Sequence, residues 1–350
     1  MALLAIQFGL QPSLTRRFTP AGINRSSVIL VQECLKFLFA AGMLRLSCTN
    51  AQLRDLRQKW SVGQWFQVAA VPSALYAVQN VAALTAYQHL DALTFNVLNQ
   101  TKTLSAALCC YLIMGRSQSV MQIVALLLLL VSALVMERII PIQDFGNSSS
   151  WSWLWNTDTN NTVHWTHGVA PILLASFISG LAGALSQKNL QSSNGTTGRN
   201  PYQFSMELCA ASAILLAIQL LVTAATNVAN AHNINKDNNT IGSMWDGWTL
   251  TTWIPIATNA AGGIVVGLVT KYAGSVQKGF ALIFGILLSG LLQEFSAGRG
   301  SVRPEQVMGG LLAAISLYIH ATNPPITTKS QSKPPPSIKK EGNGNLKKTN

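Results

Sequence analysis

The sequence is short of charge. Asp, Glu, Lys and Arg make up 10% of its 350 residues, where a water-soluble domain carries about 25%. A soluble fold of this size would lack the polar surface to cover itself, because apolar residues reach 49%. Acidic groups are scarcest, with 12 Asp and Glu against 24 Lys and Arg. The five cysteines (Cys34, Cys48, Cys109, Cys110 and Cys209) lie in or beside apolar runs. They lack the spacing of a disulfide framework or a zinc site and read as small packing residues. Enzyme signatures are missing too. No His/Glu metal pair shares a helix, no Gly-rich phosphate loop follows a strand, and no Ser/His/Asp arrangement stands out. His89, His164, His167, His232 and His320 are scattered in loops or at helix ends. Neither a metal nor a cofactor is expected. Met1 opens directly into MALLAIQFGL with no basic n-region and no cleavage motif. That run is expected to be a retained first helix rather than a signal peptide.

What the sequence does have is long apolar runs. Met121–Met136 carries no charge, and the uncharged stretch extends back to Ser117. An α-helix needs about 20 apolar residues to cross the hydrocarbon core. Backbone groups in lipid must be paired within the segment, so such runs are helices. The fold class expected is an all-α membrane protein with ten transmembrane helices. The spans fall at roughly 1–15, 26–48, 62–88, 91–114, 118–136, 168–190, 202–226, 247–271, 276–295 and 304–322. Placing both termini in the cytosol puts the larger share of Lys and Arg there, including Arg45, Arg54, Arg57, Lys59, Lys271 and Lys278. Arg16, Arg17 and Arg25 fall on the opposite side. In this orientation the connections 137–167 and 227–246 are lumenal, and both contain sequons, at Asn147, Asn160 and Asn238. Asn194 would be cytosolic and unused.

The net charge of +12 does not point to nucleic acid, because much of it sits in a Pro/Ser/Lys-rich tail over 323–350. That tail is expected to be disordered and cytosolic. Its Lys347-Lys348 pair, third and fourth from the end, resembles the dilysine signal read by coat proteins of the early secretory pathway. A solvating tail drawn to lipid headgroups explains the same residues. The membrane lipid is a partner either way, and a homodimer is compatible with the sequence.

Charges inside spans are the informative ones. A lysine at the bilayer centre costs roughly 2.5–3.5 kcal/mol on insertion scales. Lys102 lies 11 residues beyond Asp91, about 16 Å along a helix and near the midplane. Asn99, Gln100 and Thr101 precede it, and Asn99 and Phe95 share its face by spacing. One reading pairs Lys102 with a buried carboxylate from Glu33, Glu207 or Glu294. The other has it receive an anion in a cavity. Glu33 and Lys36, at i,i+3, either pair with each other or line the same cavity. Tyr76, Gln79 and Asn80 fall on one face and suit either a planar ligand such as a nucleobase or interhelical hydrogen bonds. Gly262, Gly263 and Gly267 strip one face of the next-to-last-but-one span, permitting close packing of a helix or a ligand. Lys278 opens the following helix, where the N-terminal partial charge would help it hold a phosphate. Ordinary positive-inside anchoring explains it as well.

Two stretches carry a resemblance. From Tyr76 the chain reads YAVQNVAALTAYQHLDALTFNVLNQTKTLSAAL, and from Asn259 it reads NAAGGIVVGLVTKYAGSVQKGFA. These resemble the Y-A-x-Q-N…L-D…V-x-x-Q-x-K and G-G…K-Y-A-D-N-I-x-K-G-F-A segments of nucleotide-sugar transporters. The likeness is to the CMP-sialic acid, UDP-galactose and UDP-N-acetylglucosamine group. The VILVQECLKF stretch is similar to that group's Q-E-x-x-K segment. The resemblance runs through most of 1–322. It implies two inverted five-helix repeats, here 1–136 and 168–322 around a lumenal loop at 137–167. It further implies import of a nucleotide sugar into the Golgi or endoplasmic reticulum lumen in exchange for a nucleoside monophosphate. By position, Lys102 and Lys278 would meet phosphates. Tyr76, Asn80 and Phe95 would surround the nucleoside or sugar, and Gln100 and Asn200 transfer less directly. The chain departs from the pattern at Phe95 and Asn99, where tyrosines are frequent, and at Gly274-Ser275, where Asp-Asn is usual. Pro201 after Asn200 is a further departure. These differences bear on which sugar is carried. The alternatives are an exporter of another organic anion such as a sugar phosphate, a membrane-embedded transferase, or a non-transporting scaffold.

Overall fold

A computed structural model describes residues 1–20, 23–90, 95, 98–115, 117–136, 164–191, 198–231, 245, 247–296 and 304–323. The sequons, most of the 137–167 loop and the tail with Lys347-Lys348 lie outside these residues.

Among the described residues the secondary structure is helical, with no strand. The first half contains α1 (Ala2–Phe18), α2 (Arg25–Ser47), α3 (Asn50–Lys59) and α4 (Val62–Trp65). A π-helical turn (Phe66–Ala70) joins α4 to α5 (Val71–His89), and α6 (Lys102–Met114) and α7 (Val120–Met136) follow. The second half opens with a π turn (His164–Val169) into α8 (Ala170–Leu190), then α9 (Pro201–Ala231), α10 (Trp253–Tyr272), α11 (Ser275–Ser296) and α12 (Pro304–Thr322). Six of these helical stretches are long and apolar enough to cross a membrane, and Val120–Val135 is a shorter apolar one. The chain is a multi-pass membrane protein.

Local chemistry sets the helix ends. The Asn24 side chain accepts from Ser26 N at 3.0 Å and opens α2. Gly115, at φ 64°, ends α6 in the left-handed conformation that only glycine adopts without penalty. Thr49 and Gln52 form a capping box on α3. Helix α3 is a correction to the sequence reading, which left 49–61 as a basic connection. Its Leu53 and Leu56 are half-buried and its charged side chains exposed, a pattern invisible to a search for apolar runs.

Helix pairing follows a regular scheme. Helix α1 packs on α11 and α10, as α8 packs on α6 and α5, while α2 pairs with α9 and α7 with α12. Exchanging α1, α2, α5, α6 and α7 for α8, α9, α10, α11 and α12 maps this scheme onto itself. The α7–α12 seam is antiparallel and is tied by two buried serines. Ser132 Oγ donates to Gly309 O at 2.8 Å, and Ser316 Oγ donates to Ala125 O at 2.5 Å. Phe280, Ile283, Leu126 and Leu129 close one apolar cluster between α7 and α11. Leu4, Val269 and Ala281 close another between α1, α10 and α11.

Candidate functional site

A cavity of about 380 Å³ opens among α1, α2, α5, α8, α9, α10 and α11. Its polar lining includes Gln7, Glu33, Lys36, Tyr76, Asn80, Ser186, Ser205, Asn259, Thr270 and Lys278. Glu33 and Lys36 do both things their spacing allowed: they form an ion pair at 2.6 Å, and both line the cavity. The glycine face of α10 explains how they fit. A Cβ at Gly263 would stand 2.5 Å from Lys36 Cε, a Cβ at Gly262 would run into the Gln7 amide, and Gly267 sits against Ser205 Oγ. The missing side chains therefore admit polar groups from α1, α2 and α9 into the space. Asn259 Nδ2 donates to Gln32 Oε1 at 3.0 Å beside them.

Two lysines meet on facing helix starts. Helix α11 begins at Ser275 after Gly274, whose φ of 92° turns the chain sharply out of α10. Gln187 Oε1 accepts from Ser275 N at 2.7 Å, and Ser275 Oγ donates to Gly183 O at 2.8 Å. These bonds to α8 hold the first turn of α11, which carries Lys278. Opposite it, α6 begins at Lys102. The span expected to run unbroken over 91–114 is interrupted by a turn at Thr101. There Thr101 N and Oγ1 both donate to Leu98 O, at 3.1 and 2.6 Å. The hydroxyl competes for a carbonyl that an uninterrupted ladder would use differently. Thr101 gives α6 no side-chain cap. The two first turns are in contact, since a Cβ at Gly279 would stand 2.7 Å from Thr103 Cγ2.

Two of the three carboxylates proposed as alternative partners for Lys102 are committed elsewhere. Glu33 holds Lys36, and Glu207 holds Arg199 at 2.5 Å. The Glu294 side chain lies outside the described residues. Among the described residues neither Lys102 nor Lys278 has an acidic partner. Two lysines in the first turns of two touching helices, with no carboxylate to neutralise them among the described residues, form an arrangement suited to an anion.

The sequence-derived candidates divide as follows. Glu33, Lys36, Tyr76, Asn80 and Lys278 share the cavity wall. Lys102 is not among the residues lining the cavity; it opens α6, whose first turn touches that of α11. Gln100 is buried, with no hydrogen-bond partner for its Oε1 among the described residues, and Asn99 is half-buried. Phe95 packs instead against the apolar cluster of Ala86, Leu90, Val169 and Ile172. The side chain of Asn200 caps α9, accepting from Tyr202 N at 2.9 Å and donating to Cys48 Sγ at 3.5 Å. Sequence reading missed Gln7, Ser186 and Asn259. Gln7 Oε1 and Ser186 Oγ are buried without a hydrogen-bond partner among the described residues. Each is a polar side chain in a mostly apolar helix, whereas Gln100 was marked by the polar run Asn99-Gln100-Thr101 ahead of Lys102.

Comparison with known proteins bears on this geometry. Residues 8–320 match the nucleotide-sugar transporter family. The chain is 31% identical over 297 residues to the UDP-N-acetylglucosamine transporter ROCK1 of Arabidopsis thaliana, spanning 85% of this chain and 83% of that protein. It is 25% identical over 255 residues to the UDP-N-acetylglucosamine transporter of Mus musculus, spanning 73% of this chain and 71% of the mouse protein. It is 30% identical over 220 residues to the UDP-galactose translocator of Mus musculus, covering 63% of this chain and 50% of that protein. A solved crystal structure shares the fold with a TM-score of 0.60 at 10% identity, over 91% of this chain and 94% of its own.

Proposed function

Because the chain belongs to the nucleotide-sugar transporter family, we propose that it exchanges a cytosolic pyrimidine nucleotide sugar for a lumenal nucleoside monophosphate. The family is one of transporters, so the chain is not an enzyme. The names of the relatives favour a UDP-sugar of the N-acetylglucosamine or galactose type over CMP-sialic acid. The compartment proposed is the Golgi or the endoplasmic reticulum, with both termini cytosolic.

The observation that carries the reading is the pair Lys102 and Lys278. Desolvating a phosphate is costly, and two charge-assisted contacts offset that cost. The unpartnered amide and hydroxyl of Gln7 and Ser186, with Tyr76 and Asn80, supply hydrogen bonds and an aromatic face for the uncharged parts of the ligand. Glu33 paired to Lys36 leaves that end of the cavity without net charge. Phe95, Asn99, Gln100 and Asn200 lie off this wall and would act when the cavity changes shape.

The exchange-symmetric helix pairing supports ten spans in two inverted five-helix repeats, 1–136 and 168–322. Alternating access would then be a rocking of the repeats about the self-paired seams α2–α9 and α7–α12. Lys278 lines the cavity, and the first turn of α6, the helix equivalent to α11 in the other half, touches that of α11 at Thr103 and Gly279. Either lysine moves with its own repeat, so bound phosphate couples the two.

Thermal unfolding of the purified chain tests the ligand class. UMP and UDP-N-acetylglucosamine are expected to raise the Tm by several degrees, GMP and glucose 6-phosphate by much less. Lys278→Ala should remove the shift. Stabilisation by a sugar phosphate equal to that by UMP would sink the nucleotide reading in favour of a general organic-anion carrier.

A further inference from the structure

A second concavity lies away from the cavity, beneath the amphipathic helix α3. It encloses about 330 Å³. Its walls are apolar: Phe37 and Leu44 from α2, Leu53 and Leu56 from α3, Trp60 and Trp65 beyond it, and Met206 from α9. Trp65 is fixed as a wall, since its indole N–H donates to Glu207 O at 3.1 Å across the groove. Trp60 is 43% exposed at the rim.

Position and charge say what fills it. The groove lies at the C-terminal end of α2 and the N-terminal end of α9, two of the membrane-length helices. It is therefore at the boundary of headgroups and acyl chains, the depth where tryptophan rings concentrate. A short helix with half-buried leucines and an exposed charged face lies in that plane. Arg57 is itself part of the groove lining, and Arg45, Arg54 and Lys59 are exposed nearby in sequence. Both acids in reach are occupied: Asp55 pairs with Lys59 at 2.8 Å, and Glu207 pairs with Arg199 at 2.5 Å. The rim thus keeps Arg45, Arg54 and Arg57 without an acidic partner among the described residues, beside an apolar slot.

We propose that this groove is a binding site for an anionic glycerophospholipid, with one acyl chain between α2, α3 and α9 and the headgroup phosphate on Arg57. The site is separate from the transport cavity, but the two share α9. Glu207 and Met206 face the groove, while Phe204, Ser205 and Cys209 face the cavity. A lipid seated there braces the first turns of α9 against α2 through Trp65 and the Arg199–Glu207 pair.

The test is thermal unfolding of the full chain in detergent, with dioleoylphosphatidylserine or dioleoylphosphatidylcholine added. The serine lipid is expected to raise the Tm by several degrees more than the choline lipid. Arg57→Gln should cancel that difference while leaving the Tm without lipid unchanged. Leu56→Trp, which fills the slot, should cancel it as well. Arg16→Gln with Arg17→Gln, at the end of α1, should leave it intact. Equal shifts from both lipids would overturn the proposal, as would an undiminished difference in Arg57→Gln. Loss of the difference in the α1 variant would show mere attraction to a basic protein. The same shift from soluble glycerophosphoserine would show a headgroup site with no acyl slot.

Discussion

Alanine in place of Lys102 is expected to abolish exchange while leaving the fold at least as stable as before. The two halves of this expectation have one cause. Lys102 opens a mostly apolar helix, and it has no acidic partner among the described residues. Removing it relieves the cost of keeping an unpaired charge out of water. A lysine kept for structure would behave in the opposite way, because breaking a buried ion pair strands its partner. Transport should suffer because the ligand's phosphate loses a desolvated, charge-assisted contact. Truncating one member of such a pair costs about 2–5 kcal/mol, roughly 30-fold to a few thousand-fold in affinity. The checks are uptake by reconstituted protein and Tm in detergent, side by side. Lys102→Arg keeps the charge but changes the donor geometry and should retain part of the activity. A Lys102→Ala protein that unfolds several degrees earlier would point to a structural lysine instead.

The largest structural effect is expected at Gly180. This residue of α8 faces the backbone of α6, and a Cβ there would stand 2.6 Å from both Ala106 N and Ser105 C. Backbone cannot step aside as a flexible side chain can. Even Gly180→Ala must push α6 away, and Gly180→Leu must push it further. Overpacking costs roughly 1–3 kcal/mol in ordinary cores, and Gly180→Leu is expected at or above the top of that range. It should be seen as a lower Tm and a loss of monodisperse protein. Ser105 is one turn from Lys102, so Gly180→Ala is expected to weaken ligand binding even where it folds. Gly42 is the control, since an added methyl there meets nothing within 4 Å. Gly42→Ala should be neutral or mildly stabilising, given alanine's advantage in a helix. A Gly180→Ala protein as stable as Gly42→Ala would refute the close approach of α6 and α8.

Much of the helical framework was legible in the sequence, because hydrophobic length is a local property. The span expected over 304–322 coincides with α12, and the 26–48 span differs from α2 by one residue at each end. The errors have physical causes. Helix α3 escaped because its large apolar residues are only Leu53 and Leu56 within a charged stretch; the Thr49–Gln52 capping box was the readable sign. The break at Thr101 escaped because it depends on a hydroxyl bonding back three residues, which hydropathy does not register. Of the charges singled out, Lys278, Glu33 and Lys36 line the cavity; they were legible because a charge in a membrane helix demands a reason. Gln7 and Asn259 were not singled out, although each is an amide in a mostly apolar helix. Their meeting depends on α1 lying against the glycine face of α10, a tertiary fact. Asn200 illustrates the reverse case, where a residue singled out by resemblance serves locally as a helix cap.

Counterflow exchange is the most direct measurement. The purified chain is reconstituted into liposomes preloaded with UMP or left empty, and labelled UDP-N-acetylglucosamine, UDP-galactose or CMP-sialic acid is added outside. Uptake of a UDP-sugar that requires trapped UMP, and that disappears in Lys102→Ala, is the expected result. Uptake that is the same into empty and loaded vesicles, or no uptake of any of the three, would contradict nucleotide-sugar exchange by this protein.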